Sequence, residues 1–221
     1  MYSLLFISLG ITLLAQLFIN INYSKYKKIN TRTNKSGFEV AREILDKNGL
    51  KDIYVVETGG NLTDHFDPNR KTIRLSSDIY HGSTIASNSV AAHEVGHALQ
   101  HKEGYLFLKF RSSIIPLVNF SSRAGYIIIL ISLISGALDL LWLGIGLECI
   151  ILLFQLITLP VEFNASNRGK KQLRDLNILS GDELNGASKM LFSAAMTYVA
   201  SVLTAILEIL RLVMIASSRD R

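Results

Sequence analysis

VAAHEVGHALQH, Val90 to His101, sets two histidines four positions apart with a glutamate directly after the first. On an α-helix each residue turns the chain by about 100°, so His93 and His97 leave one side, a single turn apart. Two imidazoles so placed can reach one metal ion. Glu94 stands beside them, close enough to take a proton from water without ligating. This is the H-E-x-x-H pattern, which combines two neutral nitrogen donors with one carboxylate base. The flanking Val90, Ala91, Ala92, Gly96 and Ala98 are small and apolar, as in a helix packed closely against others. A helix is expected from about Ser87 to Lys102, ended by Gly104. The plainer alternative is a core helix with two satisfied histidines.

The rest of the chain reads as membrane. Hydrophobic residues make up 49% of the 221, the mean hydropathy is +0.30, and the apolar residues are bunched. Residues 3–22, SLLFISLGITLLAQLFININ, carry no charge and are long enough to cross about 30 Å of hydrocarbon. No Lys or Arg precedes them and no A-x-A site closes them, which favours an anchor over a signal peptide. A second apolar block, Ile114 to Leu159, is broken by Arg123 and Asp139. A turn at Gly136, Ala137 and Asp139 divides it into two helices, 114–138 and 140–160. A third block, MLFSAAMTYVASVLTAIL at 190–207, is rich in Ser, Ala and Thr, which suits close packing in lipid. It spans, lies at the interface or packs on the soluble part, and Glu208 and Arg211 beyond it are spaced to pair. The lone Cys149 excludes an internal disulfide and gives no sign of an oxidising compartment.

Basic residues orient these spans. Lys25, Lys27, Lys28, Arg32 and Lys35 follow the first, and Arg168, Lys170, Lys171 and Arg174 follow the hairpin. The positive-inside rule puts both groups in the cytoplasm and the N-terminus outside. A fourth span would leave Arg219 and Arg221 outside, against that rule. The net charge of +5 therefore reports topology and attraction to the lipid bilayer, and nucleic acid need not be invoked.

The expected fold is an α-helical integral membrane protein with three or four transmembrane helices and a small α+β domain. Its expected parts are an anchor (1–22), a cytoplasmic region with the H-E-x-x-H helix (23–113), a transmembrane hairpin (114–160), a cytoplasmic helix (161–189) and a fourth transmembrane or interfacial helix (190–221). In the polar region, GFEVAREILDKNG reads as a helix with Phe38, Ala41, Ile44 and Leu45 on one face and Gly49 at its end. DIYVVE reads as a strand. A turn at Asp67-Pro68-Asn69 leads into a short strand, Lys71 to Leu75. That strand is expected to offer an edge on which extended substrate docks, or else is an ordinary sheet edge.

A catalytic zinc ion takes three protein ligands and keeps one position open. His101 shares the face of His93 but lies eight residues on, about 12 Å along the axis, too far for one ion. The metzincin pattern would need Gly at 100 and His at 103, where this chain has Gln100 and Glu103. The better candidate is Glu162, in TLPVEFNASNRGKK. It lies 65 residues past His97, but the hairpin between them leaves the cytoplasmic face and returns to it. The plainer reading of Glu162 is an interfacial carboxylate.

HFDPNRKTIRLS, VAAHEVGHALQH and TLPVEFNAS, in that order, resemble the YugP-like family of neutral zinc metallopeptidases, membrane proteins of bacteria. The likeness covers nearly the whole chain. More distantly, the layout is similar to the HtpX and CAAX prenyl protease gluzincins, which also interrupt the zinc site with a membrane hairpin. The resemblance implies a zincin-like catalytic domain, a Zn2+ cofactor held by His93, His97 and Glu162, and Glu94 as catalytic base. In the distant group an aspartate four residues past the glutamate ligand orients a zinc histidine. Here that position is Ser166, a weaker acceptor. Asn164 and Asp67 are fallback ligands.

The implied activity is hydrolysis of peptide bonds by a metal-activated water, on membrane or juxtamembrane protein substrates. His65, His81, Arg168 and Tyr198 are candidate oxyanion donors. Glu148, inside a span, is expected to be paired or functional. Two rivals remain. An intramembrane protease would bury the motif in lipid, against the polar run SSDIYHGSTIASNS before it. A catalytically inactive metal-binding scaffold would have no use for Glu94.

Overall fold

The computed structural model describes residues 2–60 and 63–219; Arg221 lies outside the described residues. Its elements run α1 (Tyr2–Tyr26), α2 (Gly37–Lys47), β1 (Tyr54–Thr58), β2 (His65–Asp67), β3 (Thr72–Ser76), α3 (Ser77–His81), α4 (Ile85–Lys102), α5 (Leu106–Ser135), α6 (Leu138–Asp175) and α7 (Asp182–Arg219). Among the described residues four helices, α1, α5, α6 and α7, are long and apolar enough to cross a membrane. The chain divides into two units. One comprises Met1–Leu17, Leu106–Pro160 and Met196–Arg221, and the other Phe18–Tyr105 and Val161–Ala195.

The first unit turns apolar side chains outward. Phe6, Tyr126 and Ile134 are 73, 69 and 80% exposed. Such a surface suits hydrocarbon, and a helix can enter it because all its backbone bonds are internal. Within the unit Leu141, Ile145, Leu212, Ile215 and Ala216 form a small core. The hairpin turns at Gly136, whose φ of +77° is open to glycine at little cost. Asp139 falls in the first turn of α6, where the helix dipole favours a carboxylate. Glu208 and Arg211 pair as their spacing suggested, with Arg211 Nε donating to Glu208 Oε2 at 2.8 Å. Glu148 Oε1 lies 4.0 Å from where a Cβ on Gly125 would stand.

The second unit is the α+β part. Ser36 caps α2 by accepting from Glu39 N at 3.2 Å, and Ser36 N donates to Glu39 Oε2 at 2.8 Å. This capping box sets a helix that buries Val40, Ala41, Ile44 and Leu45. Asp67 Oδ1 accepts from Asn69 N and Arg70 N, the side-chain-to-backbone turn that Asp favours.

The sheet corrects one expectation. Its order is β1-β3-β2, with β1 parallel and β2 antiparallel to β3. The strand expected to present an edge is the central one, paired on both sides, so extended substrate cannot add to it. Its alternation explains this: Ile73 and Leu75 are fully buried on one face, and HFD, not read from the sequence as a strand, supplies the second neighbour. Residues 161–175 also differ from expectation. They are no separate helix but the continuation of α6, which passes through Pro160 without ending. Proline costs a helix one N–H, and here Val161, Ala165, Gly169 and Leu173, all buried at spacings of four, carry the packing onward.

Candidate metal centre

Helix α4 is buried nearly all round, with Ala86, Ala91, Ala92 and Val95 at 0% exposure. One row of it, Ala92, Gly96 and Gln100, meets the row Val161, Ala165 and Gly169 of α6. A Cβ on Gly96 would lie 2.3 Å from Ala165 O, and one on Gly169 would lie 2.6 Å from Ala92 O. The two helices therefore touch backbone to backbone, and glycine makes that approach possible. Gln100 closes the row by donating from Nε2 to Val161 O at 2.8 Å.

His93 and His97 each follow a member of the α4 row by one position. Glu162 and Ser166 do the same on α6. Because the helices run antiparallel, one step onward on either rotates to the same flank of the pair. His93 Nε2 lies 3.3 Å and His97 Nε2 3.6 Å from Glu162 Oε2. One donor atom from each residue lies within 4.8 Å of the others. Three donors held about 2.1 Å from one tetrahedral ion would stand about 3.4 Å apart, so the observed spacing suits zinc. So does the donor chemistry of two imidazoles and a carboxylate. The Glu162 side chain is only 4% exposed, so the plainer reading as a solvated interfacial carboxylate does not describe it.

The outer nitrogens are also held. His97 Nδ1 lies 3.1 Å from Gln100 Oε1. Since the Gln100 amide NH2 is directed at Val161 O and Asn164 Oδ1, its oxygen faces His97 and must accept. His97 Nδ1 then carries the proton and Nε2 presents its lone pair. Ser166 Oγ is 3.0 Å from His93 Nδ1, the place where the distant group has aspartate. Burial pulls the His97 imidazole pKa down, but the hydrogen bond to Glu162 and the negative charges of Glu94 and Glu162 outweigh it. The net shift is upward, which marks a site that attracts positive charge. Glu94 itself is buried beside His93.

Several of the other named residues have partners of their own. His101 is exposed and meets the Phe66 ring edge-on. Asn164 accepts from Gln100 and Arg168, and Asp67 is used in its turn. Of the candidate oxyanion donors, His65 is bonded to Thr63 O, His81 faces Glu57, and Arg168 pairs with Glu103 at 2.7 Å. Tyr198 belongs to the unit of long helices. Gln100 was not anticipated as a partner of His97, although a polar residue three positions past a histidine, amid small apolar neighbours, is a signal for one.

Among the described residues, four helices long and apolar enough to cross a membrane, with His93 and His97 of the H-E-x-x-H helix α4 meeting Glu162 of α6, are the features of a membrane-associated zinc metallopeptidase. Residues 1–217 match the family described as "Putative neutral zinc metallopeptidase", and the chain belongs to that family. It is 47% identical over 208 residues to "Putative membrane protease YugP" of Bacillus subtilis (strain 168), covering 94% of this chain and 92% of that protein. No solved structure gives a significant match.

Proposed function

We propose that the chain is a membrane-anchored zinc-dependent endopeptidase with a zincin-like catalytic part, its site at the cytoplasmic face. The carrying observation is the convergence of Glu162 with His93 and His97, of which the nearer in sequence, His97, lies 65 residues before it. A bound zinc ion would polarise the scissile carbonyl and make water acidic enough to react near neutral pH. His93, His97 and Glu162 would hold the ion, with Ser166 and Gln100 fixing the two rings. Glu94 takes the proton of the attacking water and passes it to the leaving amine. The basic residues after α1 and after Pro160 support the cytoplasmic placement. A site on a chain anchored in this way meets membrane proteins and their juxtamembrane segments first.

The test compares zinc content and casein cleavage in the purified protein, Glu94→Gln and Glu162→Ala. Glu94→Gln is expected to keep zinc and lose cleavage by about 10²–10⁴-fold. Glu162→Ala is expected to lose both. Undiminished cleavage in Glu94→Gln would refute the mechanism, and zinc without cleavage in the native protein would leave a metal-binding scaffold. For topology, Lys51→Cys in a Cys149→Ser background should resist an impermeant thiol reagent in intact cells.

A further inference from the structure

A cavity of about 350 Å³ lies between α6 and α7. Its α6 residues come just after that helix's apolar run, and its α7 residues where the next run begins. Phe163, Leu191, Phe192 and Ala195 give it an apolar lining, and Lys170 and Lys189 line it too. No carboxylate lines it, and among the described residues neither lysine has an ion-pair or hydrogen-bond partner.

We propose that this cavity binds one anionic phospholipid, taking its headgroup and the first carbons of its chains. The volume falls within the small-ligand range of roughly 300–1,000 Å³. Two unneutralised amines complement a phosphodiester, while the aromatic wall suits the glycerol and upper methylenes. Both helices enter their membrane-length runs here, which is the level of lipid headgroups. Basic pockets between spanning helices hold anionic headgroups by this combination. A peptide substrate fits less well. Ser166 lines the cavity and also bonds His93 Nδ1, whereas His93 Nε2 faces Glu162. The cavity therefore lies behind the imidazole, away from the three converging donors. Free phosphate would use the lysines and leave the wall of Phe163 and Phe192 without purpose.

The full-length protein in neutral detergent is titrated with phosphatidylglycerol or phosphatidylcholine, and bound lipid is counted by native mass spectrometry. One phosphatidylglycerol should bind saturably and more tightly than phosphatidylcholine. Lys170→Gln with Lys189→Gln should weaken it about 30-fold, since each basic residue beside an anionic headgroup contributes about a fivefold factor. Lys25→Gln with Lys28→Gln removes similar charge after α1 and should leave it unchanged. If the first double variant does not fold, Lys189→Gln alone, at an exposed residue, should show about fivefold. Undiminished binding in the Lys170/Lys189 variants, an equal loss in the Lys25/Lys28 variant, or equally tight phosphatidylcholine overturns the proposal. Displacement of the lipid by millimolar inorganic phosphate overturns it as well.

Discussion

Replacing Gly96 with alanine tests the contact that brings the third donor to the other two. The new Cβ would stand 2.3 Å from Ala165 O, about 1.1 Å short of the 3.4 Å at which ordinary contact begins. The obstacle is helix backbone, so α4 and α6 must separate rather than a side chain turn aside. An opening of about 1 Å takes the 3.3 and 3.6 Å gaps between Glu162 and the imidazoles well beyond the roughly 3.4 Å spacing that one zinc ion allows. Overpacking costs about 1–3 kcal/mol, and alanine in a helix returns about 1 kcal/mol. The protein is thus expected to stay folded, losing about 0–2 kcal/mol. Zinc affinity should fall by more than the 10–100-fold typical of losing an outer hydrogen-bond partner. Gly169→Ala, with its Cβ 2.6 Å from Ala92 O, should give an intermediate loss, and Gly146→Ala, with nothing within 4 Å, none. The assay is zinc affinity against a chromophoric chelator, beside melting in the same detergent. Native zinc affinity in Gly96→Ala would show that this close approach does not set the site.

Gln100→Ala should weaken zinc 10–100-fold by freeing the His97 ring, and should cost a further ~1 kcal/mol of stability by removing the hydrogen bond that Gln100 donates to Val161 O. Ser166→Ala should weaken zinc within the same range, and Ser166→Asp should restore it; equal affinity in all three proteins would exclude a role for the bond to His93. Stripping metal with a chelator should lower the melting temperature, and zinc at 1,000 times its dissociation constant should return about 4 kcal/mol. Ser36→Ala, which removes the α2 cap, should cost about 1 kcal/mol while zinc content stays unchanged. A parallel loss of zinc there would show that α2 and the site are coupled.

The apolar runs were plain in the sequence because a membrane span needs only length and absence of charge. The α4 helix was plain because H-E-x-x-H is a helical spacing. The edge assigned to β3 was wrong because HFD is three residues long, too short for alternation to show, and pairing lay with a strand that periodicity could not detect. The end given to the hairpin at 160 followed the end of the apolar run, and buried packing from Val161 to Leu173 carries the helix past it. The spacing A-x-x-x-G-x-x-x-Q in α4 and V-x-x-x-A-x-x-x-G in α6 was visible, but small residues at intervals of four do not say which helix they will meet. Gln100 stayed hidden for that reason, since its role depends on a carbonyl 61 positions away.

The pairing of Gly96 with Ala165 has a consequence for biogenesis. A nascent chain halted before Pro160 already contains both histidines and Glu94, yet lacks Glu162, which completes the proposed ligand set. Only after the intervening pair of helices has been threaded and the ribosome has moved on can the distant segment dock. On the proposed reading the site is therefore incomplete, and inactive, until that segment has been made and docked.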